Sequence, residues 1–201
     1  RNFIVTKDVL IPRPETEQII DTVLTLAGKP FLPGVKAPKP QLPPSFSLLD
    51  VGTGSGCIAI TIKKELPSVQ VFASDVSEKA LKIAQKNALN LGASITLIIS
   101  HLLKNVKFTP DVIVANLPYV DESWTWLDKK SLSKEPSLAL YAKDHGLALI
   151  KELILQTAPQ KPKFLVLEAD PCQHQTIINY AKTHGYAHLN TRGFILSFIP
   201  H

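Results

Sequence analysis

From Phe46 onward, short apolar runs alternate with stretches of helical periodicity, and that alternation restricts what the chain can fold into. The runs Phe46 to Val51, Val69 to Ser74, Ile95 to Ile99, Asp111 to Ala115, Phe164 to Glu168 and Phe194 to Ile199 predict strands. Between them, Cys57 to Glu65, Ser77 to Leu91, His145 to Thr157 and Gln173 to His184 predict helices, two of them stopped by Gly92 and Gly185. Strands joined through helices of this length need right-handed crossovers, which bury a mostly parallel sheet under helices on both faces. The expected fold class is therefore α/β, doubly wound and mostly parallel.

Ahead of this region, Ile19, Ile20, Val23, Leu24 and Ala27 recur at helical spacing, with Pro14 suited to the first helical position and Glu15 and Glu17 favourable in the first turn. Gly28 ends that helix. Residues 29–45 hold six prolines and read as an extended, exposed linker. The chain thus divides into a lead-in segment and helix (1–28), a Pro-rich linker (29–45) and one α/β unit (46–201), and 201 residues suffice for one substantial core.

Composition excludes several classes. No apolar run approaches the roughly 18 residues of a membrane span, and Arg1 to Asp8 lacks the pattern of a signal peptide, so a cytoplasmic protein without membrane contact is expected. Cys57 and Cys172 are far apart and outside any metal-ligand spacing, which reads as two buried thiols and no metal. The net charge of +5 is scattered, so no stable nucleic-acid binding is expected. With no methionine and an opening on Arg1-Asn2-Phe3, the chain reads as part of something longer.

Asp50-Val51-Gly52-Thr53-Gly54-Ser55-Gly56 follows a strand and opens a helix. Glycines in that context allow a tight turn and a close approach of ligand to backbone. Asp75, at the end of the next strand, is placed to accept hydrogen bonds from both ribose hydroxyls of a nucleoside. The dinucleotide fingerprint would put its third glycine one residue later than Gly56. The early glycine, together with Asp50, resembles the first motif of the class I S-adenosylmethionine methyltransferases, with a seven-stranded Rossmann-like sheet; a nicotinamide enzyme is the competing reading. That resemblance implies S-adenosylmethionine as cofactor, with Asp50, Gly52, Thr53, Gly54, Ser55, Gly56, Asp75, Leu102 and Asn116 around it.

The strand Asp111 to Ala115 runs into Asn116-Leu117-Pro118-Tyr119 at the end of the sheet where ligands bind in this architecture. An amide or exocyclic amino nitrogen is a poor nucleophile because its lone pair is delocalised. Two acceptors aimed at its N–H groups hold it and make that lone pair more available. Asn116 supplies a side-chain oxygen, Leu117 a backbone carbonyl, Tyr119 a flat face, and Pro118 the turn that gathers them. The tetrapeptide resembles the (N/D/S)-P-P-Y methyltransferases, which modify planar nitrogens in adenine, cytosine or glutamine; Leu117 stands where that motif has its first proline.

Val9-Leu10-Ile11-Pro12-Arg13-Pro14-Glu15-Thr16-Glu17 is similar to the segment that borders the active site in the HemK/PrmC-type release factor glutamine methyltransferases. Glu135-Pro136-Ser137-Leu138-Ala139-Leu140, Asp144-His145-Gly146-Leu147 and Leu167-Glu168 also resemble that family, in the same order along the chain. The resemblance implies methylation of the glutamine in the Gly-Gly-Gln loop of a peptide chain release factor, with Arg13, Pro14, Glu15, Asn116 and Tyr119 meeting the substrate and the protein acting as a monomer. Three departures stand out: His101 in Ser100-His101-Leu102-Leu103 replaces an acid expected near the adenine, the Pro-rich linker is long, and the family's small helical domain ahead of the catalytic one is missing from this chain. Trp124 and Trp126, just after the tetrapeptide, read equally as a surface for a protein loop or as a buried helix face. Competing readings are an adenine-N6 nucleic-acid methyltransferase, a ribosomal-protein glutamine methyltransferase and a non-catalytic binding module on the same fold.

Overall fold

The computed structural model describes residues 1–29, 38–125 and 135–201. Most of the proposed linker core (30–37), and Trp126 and Leu127, lie outside the described residues. In chain order the elements are α1 (Glu17–Leu26), β1 (Ser47–Val51), α2 (Cys57–Glu65), β2 (Gln70–Asp75), α3 (Glu78–Leu91), β3 (Thr96–Ile99), β4 (Val112–Ala115), α4 (Ala148–Thr157), β5 (Phe164–Glu168), α5 (His174–Thr183), β6 (Tyr186–Arg192) and β7 (Ile195–Pro200). They build a seven-stranded sheet in the order β3-β2-β1-β4-β5-β7-β6. The first five strands of that order run parallel, while β7 is antiparallel to both β5 and β6. This is the α/β, doubly wound, mostly parallel class that the alternation implies.

The central strands are near-continuous apolar runs because both of their faces are covered. Successive side chains of β4 enter opposite cores: Val112 and Val114 join α1 and α2, whereas Ile113 and Ala115 join α4 and α5. Because β1 lies between β2 and β4, the chain winds away from β1 in one direction and later returns on its other side. A crevice opens above the carboxyl ends of the strands where the winding reverses.

Two elements depart from the sequence reading. The strand β6 escaped it because Tyr186 to Arg192 is an edge strand with mostly exposed, polar side chains, broken by an irregularity between His188 and Asn190. The helix expected from His145 starts at Ala148, since Asp144, His145 and Gly146 adopt φ of +55°, +53° and +82°, outside helical geometry. Phe198 on β7 is fully buried and packs in the core beneath α4 and α5. Truncating it removes a large side chain from a site that cannot collapse, so Phe198→Ala should lower the unfolding free energy by about 3–5 kcal/mol in a denaturant titration.

Candidate active site

A cleft of about 330 Å³ sits over the carboxyl ends of β1, β2 and β4. Its floor is the glycine loop after β1, and its walls come from Asp75, from Ser100 to Leu102, from Asn116 to Pro118 and from the lead-in residues Lys7 to Leu10. Gly52 has φ +74°, and a Cβ there would come within 3.0 Å of Leu117 Cδ2, so the loop and the tetrapeptide touch only because that side chain is missing. Gly54 donates its N–H to Asp75 Oδ2 at 2.9 Å, and Ser77 N–H donates to Asp75 Oδ1 at 2.9 Å. Asp75 is thereby aimed at the rim of the cleft, and burial raises its pKa.

Asp50, Thr53, Ser55 and Gly56 do not line the cleft. Asp50 is wholly buried beneath the loop, where its Oδ2 accepts from the Thr53 hydroxyl at 2.6 Å and from Ala59 N–H at 3.3 Å. Its Oδ1 has no partner, and burial pushes its pKa up to about 7 against the pull of those hydrogen bonds. The structure therefore gives Asp50 the task of bracing the loop from behind. Asn87 of α3 adds a second brace, donating to the Ser55 carbonyl at 2.8 Å and exchanging two hydrogen bonds of 2.8 and 2.9 Å with the backbone of Ile4. Leu102 lines the cleft in a left-handed conformation, φ +49°, and His101 beside it lies 3.5 Å from Glu152.

The tetrapeptide continues from β4. Asn116 Nδ2 donates to Thr16 Oγ1 at 2.9 Å, which commits the nitrogen end of the amide and leaves the oxygen end to accept from a ligand. Tyr119 is not on the cleft wall; its hydroxyl donates to Glu168 Oε1 at 3.2 Å, and its carbonyl accepts from Gln173 Nε2 at 2.8 Å. Burial and the neighbouring carboxylate push the Tyr119 phenol well above its usual range. Glu168, only 1% exposed, is itself pushed up to about 7 by burial. The left-handed turn at Asp144 to Gly146 packs directly against the Tyr119 backbone, and a Cβ on Gly146 would overlap the Tyr119 carbonyl oxygen.

The lead-in segment closes the site from above. Arg13 pairs with Glu135, which also accepts from Ile11 N–H at 2.9 Å. Arg13 and Pro14 face a second cavity of about 450 Å³, together with Thr16 and Cys57, and Glu15 lies half-buried nearby. Four contributors were not singled out from sequence: Thr16, Asn87, Gln173 and the acidic partner of Arg13. Thr16 and Glu135 sit inside stretches marked only by resemblance, whereas Gln173 had a local signal of its own, since Asp170-Pro171-Cys172-Gln173 is a capping box. Trp124 is 8% exposed and so buried, but it lies on a loop and not on the helix face expected of it.

The methyltransferase small domain model matches residues 37–129. A release factor glutamine methyltransferase of Koribacter versatilis is 40% identical over 163 residues, spanning 80% of this chain and 52% of that protein. One of Flavobacterium psychrophilum is 40% identical over 165 residues, spanning 78% of this chain and 52% of its own length. Over these spans the chain is similar to release factor glutamine methyltransferases. It spans about half the length of the curated relatives it matches. In fold alone it is also similar to a magnesium protoporphyrin IX methyltransferase of Synechocystis solved with SAM bound, with a TM-score of 0.57 at 18% identity over 93% of this chain and 80% of that one. No helix among the described residues is long and apolar enough to cross a membrane.

Asp50 and Glu168 both titrate higher in the folded protein than in an unfolded chain, so between the ordinary carboxylate range and about pH 7 the folded state holds more protons. Stability contributed by these groups is present at the acid end of that window and is lost as pH rises through it. Denaturant titrations should show stability falling from about pH 5 to about pH 8, with a shallower fall in Asp50→Asn. A steeper or unchanged slope in that variant would contradict the assignment.

Proposed function

We propose that this chain carries S-adenosylmethionine-dependent methyl transfer to the side-chain amide nitrogen of the glutamine in the Gly-Gly-Gln loop of a peptide chain release factor. The observation that carries this reading is the Asn116 amide: its nitrogen is held by Thr16, and its oxygen remains as an acceptor at the end of β4, beside the glycine loop. Similarity to release factor glutamine methyltransferases supports the choice of glutamine over adenine.

The residues present suit the cofactor. The cleft is of small-molecule size, Gly52 and Gly54 leave their backbone open to it, and Asp75 sits on its rim where ribose hydroxyls can donate. Leu102 offers an apolar contact to a purine, and Asp50, Thr53, Ser55 and Gly56 hold the loop in shape. Bound S-adenosylmethionine supplies a methyl group on a sulfonium. Asn116 Oδ1 and the Leu117 carbonyl accept from the two N–H groups of the glutamine amide and orient its nitrogen for in-line attack. Pro118 fixes the turn, and Tyr119, anchored behind the cleft wall through its hydroxyl to Glu168, holds the end of the tetrapeptide in place. No side chain needs to act as a base, because an alkylated amide nitrogen is acidic enough to release its proton to water.

In the same reading Arg13, Pro14 and Glu15 border the path of the release-factor loop, residues 46–201 form the catalytic unit, 1–28 its lead-in and 29–45 a Pro-rich connection, which is anchored by Leu42 buried in the core with α1 and α2. The protein works as a cytoplasmic monomer without stable nucleic-acid contact. Incubation with labelled cofactor and a release factor should place one methyl group on the loop glutamine, located by mass spectrometry of the peptide. Asn116→Ala should slow turnover by about 10²–10³-fold, the usual cost of removing one preorganised polar contact to the reacting group. Label that appears only on duplex DNA, or only on a ribosomal protein, would refute the release-factor assignment.

A further inference from the structure

An asparagine amide has two ends of nearly equal shape and opposite polarity, and only the oxygen end can accept from a substrate N–H. Something must therefore decide which end of Asn116 faces the cleft. The first link is Thr16, whose hydroxyl oxygen accepts from Asn116 Nδ2 at 2.9 Å. A hydroxyl carries a single proton, and with its oxygen occupied in this way that proton needs an acceptor of its own. Thr16 is only 4% exposed, and although it borders the second cavity, a carboxylate beside it accepts more strongly than a water that cavity could hold. The carboxyl group of Glu168 stands beside both Thr16 and Asn116. Its Oε1 accepts from the Tyr119 hydroxyl at 3.2 Å, while its Oε2 is out of solvent, with the Thr16 hydroxyl and the Asn116 amide as the polar side chains beside it at longer range than a normal hydrogen bond. An ionised carboxylate accepts and cannot donate, so it imposes one direction on every hydroxyl next to it.

We propose that Glu168 is a positioning residue that sets the direction of the hydrogen-bond chain through Thr16 to Asn116, and thereby turns the acceptor end of Asn116 toward the substrate amide. The proposal rests on the methyl-transfer reading for its consequence, but the direction of the chain is a property of the folded protein alone. Replacing the carboxylate with an amide puts donors where only acceptors stood. Thr16 can then be donated to by residue 168, its proton turns toward Asn116, and the Asn116 amide turns its NH2 outward, where it repels the substrate N–H groups.

Among the described residues, Glu15 from the lead-in, Tyr119 from the β4 loop and Cys57 from the start of α2 are the titratable groups that face Glu168. Burial keeps the Tyr119 phenol neutral and pushes the Cys57 thiol up to about 12, so Glu15 is the charged neighbour, and its negative charge raises the Glu168 pKa. Protonation of Glu168 creates a donor and erases the imposed direction. Turnover should fall on the acid side, and Glu15→Gln should move that fall to lower pH.

The test compares wild type with Glu168→Gln, Thr16→Val and Thr16→Ser. With release factor as substrate, Glu168→Gln and Thr16→Val should each lower kcat by about tenfold to a hundredfold. Calorimetric affinity for S-adenosylmethionine should stay at the wild-type value, Thr16→Ser should retain turnover, and the acid limb of the pH profile should vanish in Glu168→Gln. A readout independent of activity is the side-chain amide of Asn116 in nitrogen-edited NMR, assigned by its loss in Asn116→Ala. Its protons should be protected from solvent exchange in the wild type and exposed in Glu168→Gln. Unchanged kcat and pH profile in Glu168→Gln, or an Asn116 amide equally protected in both, would overturn the proposal. If the wild type transfers no methyl to the release factor, the functional reading fails by itself, and the exchange measurement still decides the direction of the chain.

Discussion

Val51 pairs with Ala115 across the parallel strands β1 and β4, and the arrangement of the site depends on that register. It places Gly52 and Asn116, the next residue on each strand, side by side at the mouth of the cleft. A slip of one residue would turn every side chain of a strand to the opposite face, bringing the alternating Val112/Val114 and Ile113/Ala115 sets into the wrong cores. The packing of two apolar layers therefore enforces the alignment of two polar loops that share no strong contact of their own. Gly52 adds the final constraint, since any side chain there would meet Leu117.

On this platform the lead-in segment works as a strap. Thr16 reaches Asn116 across 100 positions of sequence, Ile4 reaches Asn87 across 83, and Arg13 reaches Glu135 across 122. Each hydrogen bond contributes on the order of 1 kcal/mol, but the sheet has already brought the partners together, so the strap orders with little further loss of chain entropy. It forms one wall of the cleft and supplies the group that holds Asn116.

The two fully buried carboxylates show the cost of such a site. Neither Asp50 nor Glu168 favours the folded state near neutrality, because each ionises less readily there than in water. Asp50 is tied to the glycine loop, and Glu168 to the tyrosine that ends the tetrapeptide. Polar groups in these positions are tolerated where the direction of their hydrogen bonds matters more than the stability they contribute.

The sequence by itself determined the fold class, all strands but β6, the glycine loop and the tetrapeptide, because local periodicity and glycine spacing are properties of neighbouring residues. It also carried the family resemblance, since the order of the motifs survives without coordinates. It did not show the edge strand β6, whose polar face lacks the alternation that marks a strand, nor the start of α4, where three left-handed residues interrupt a helical pattern. Only the tertiary structure decided that Asp50 lies behind the loop and not on the cleft wall, that Thr16 holds Asn116, and that Gln173 and Gly146 set the Tyr119 backbone. Those relations join residues far apart in the chain through single hydrogen bonds and close contacts, and nothing in the local pattern around either partner encodes the other.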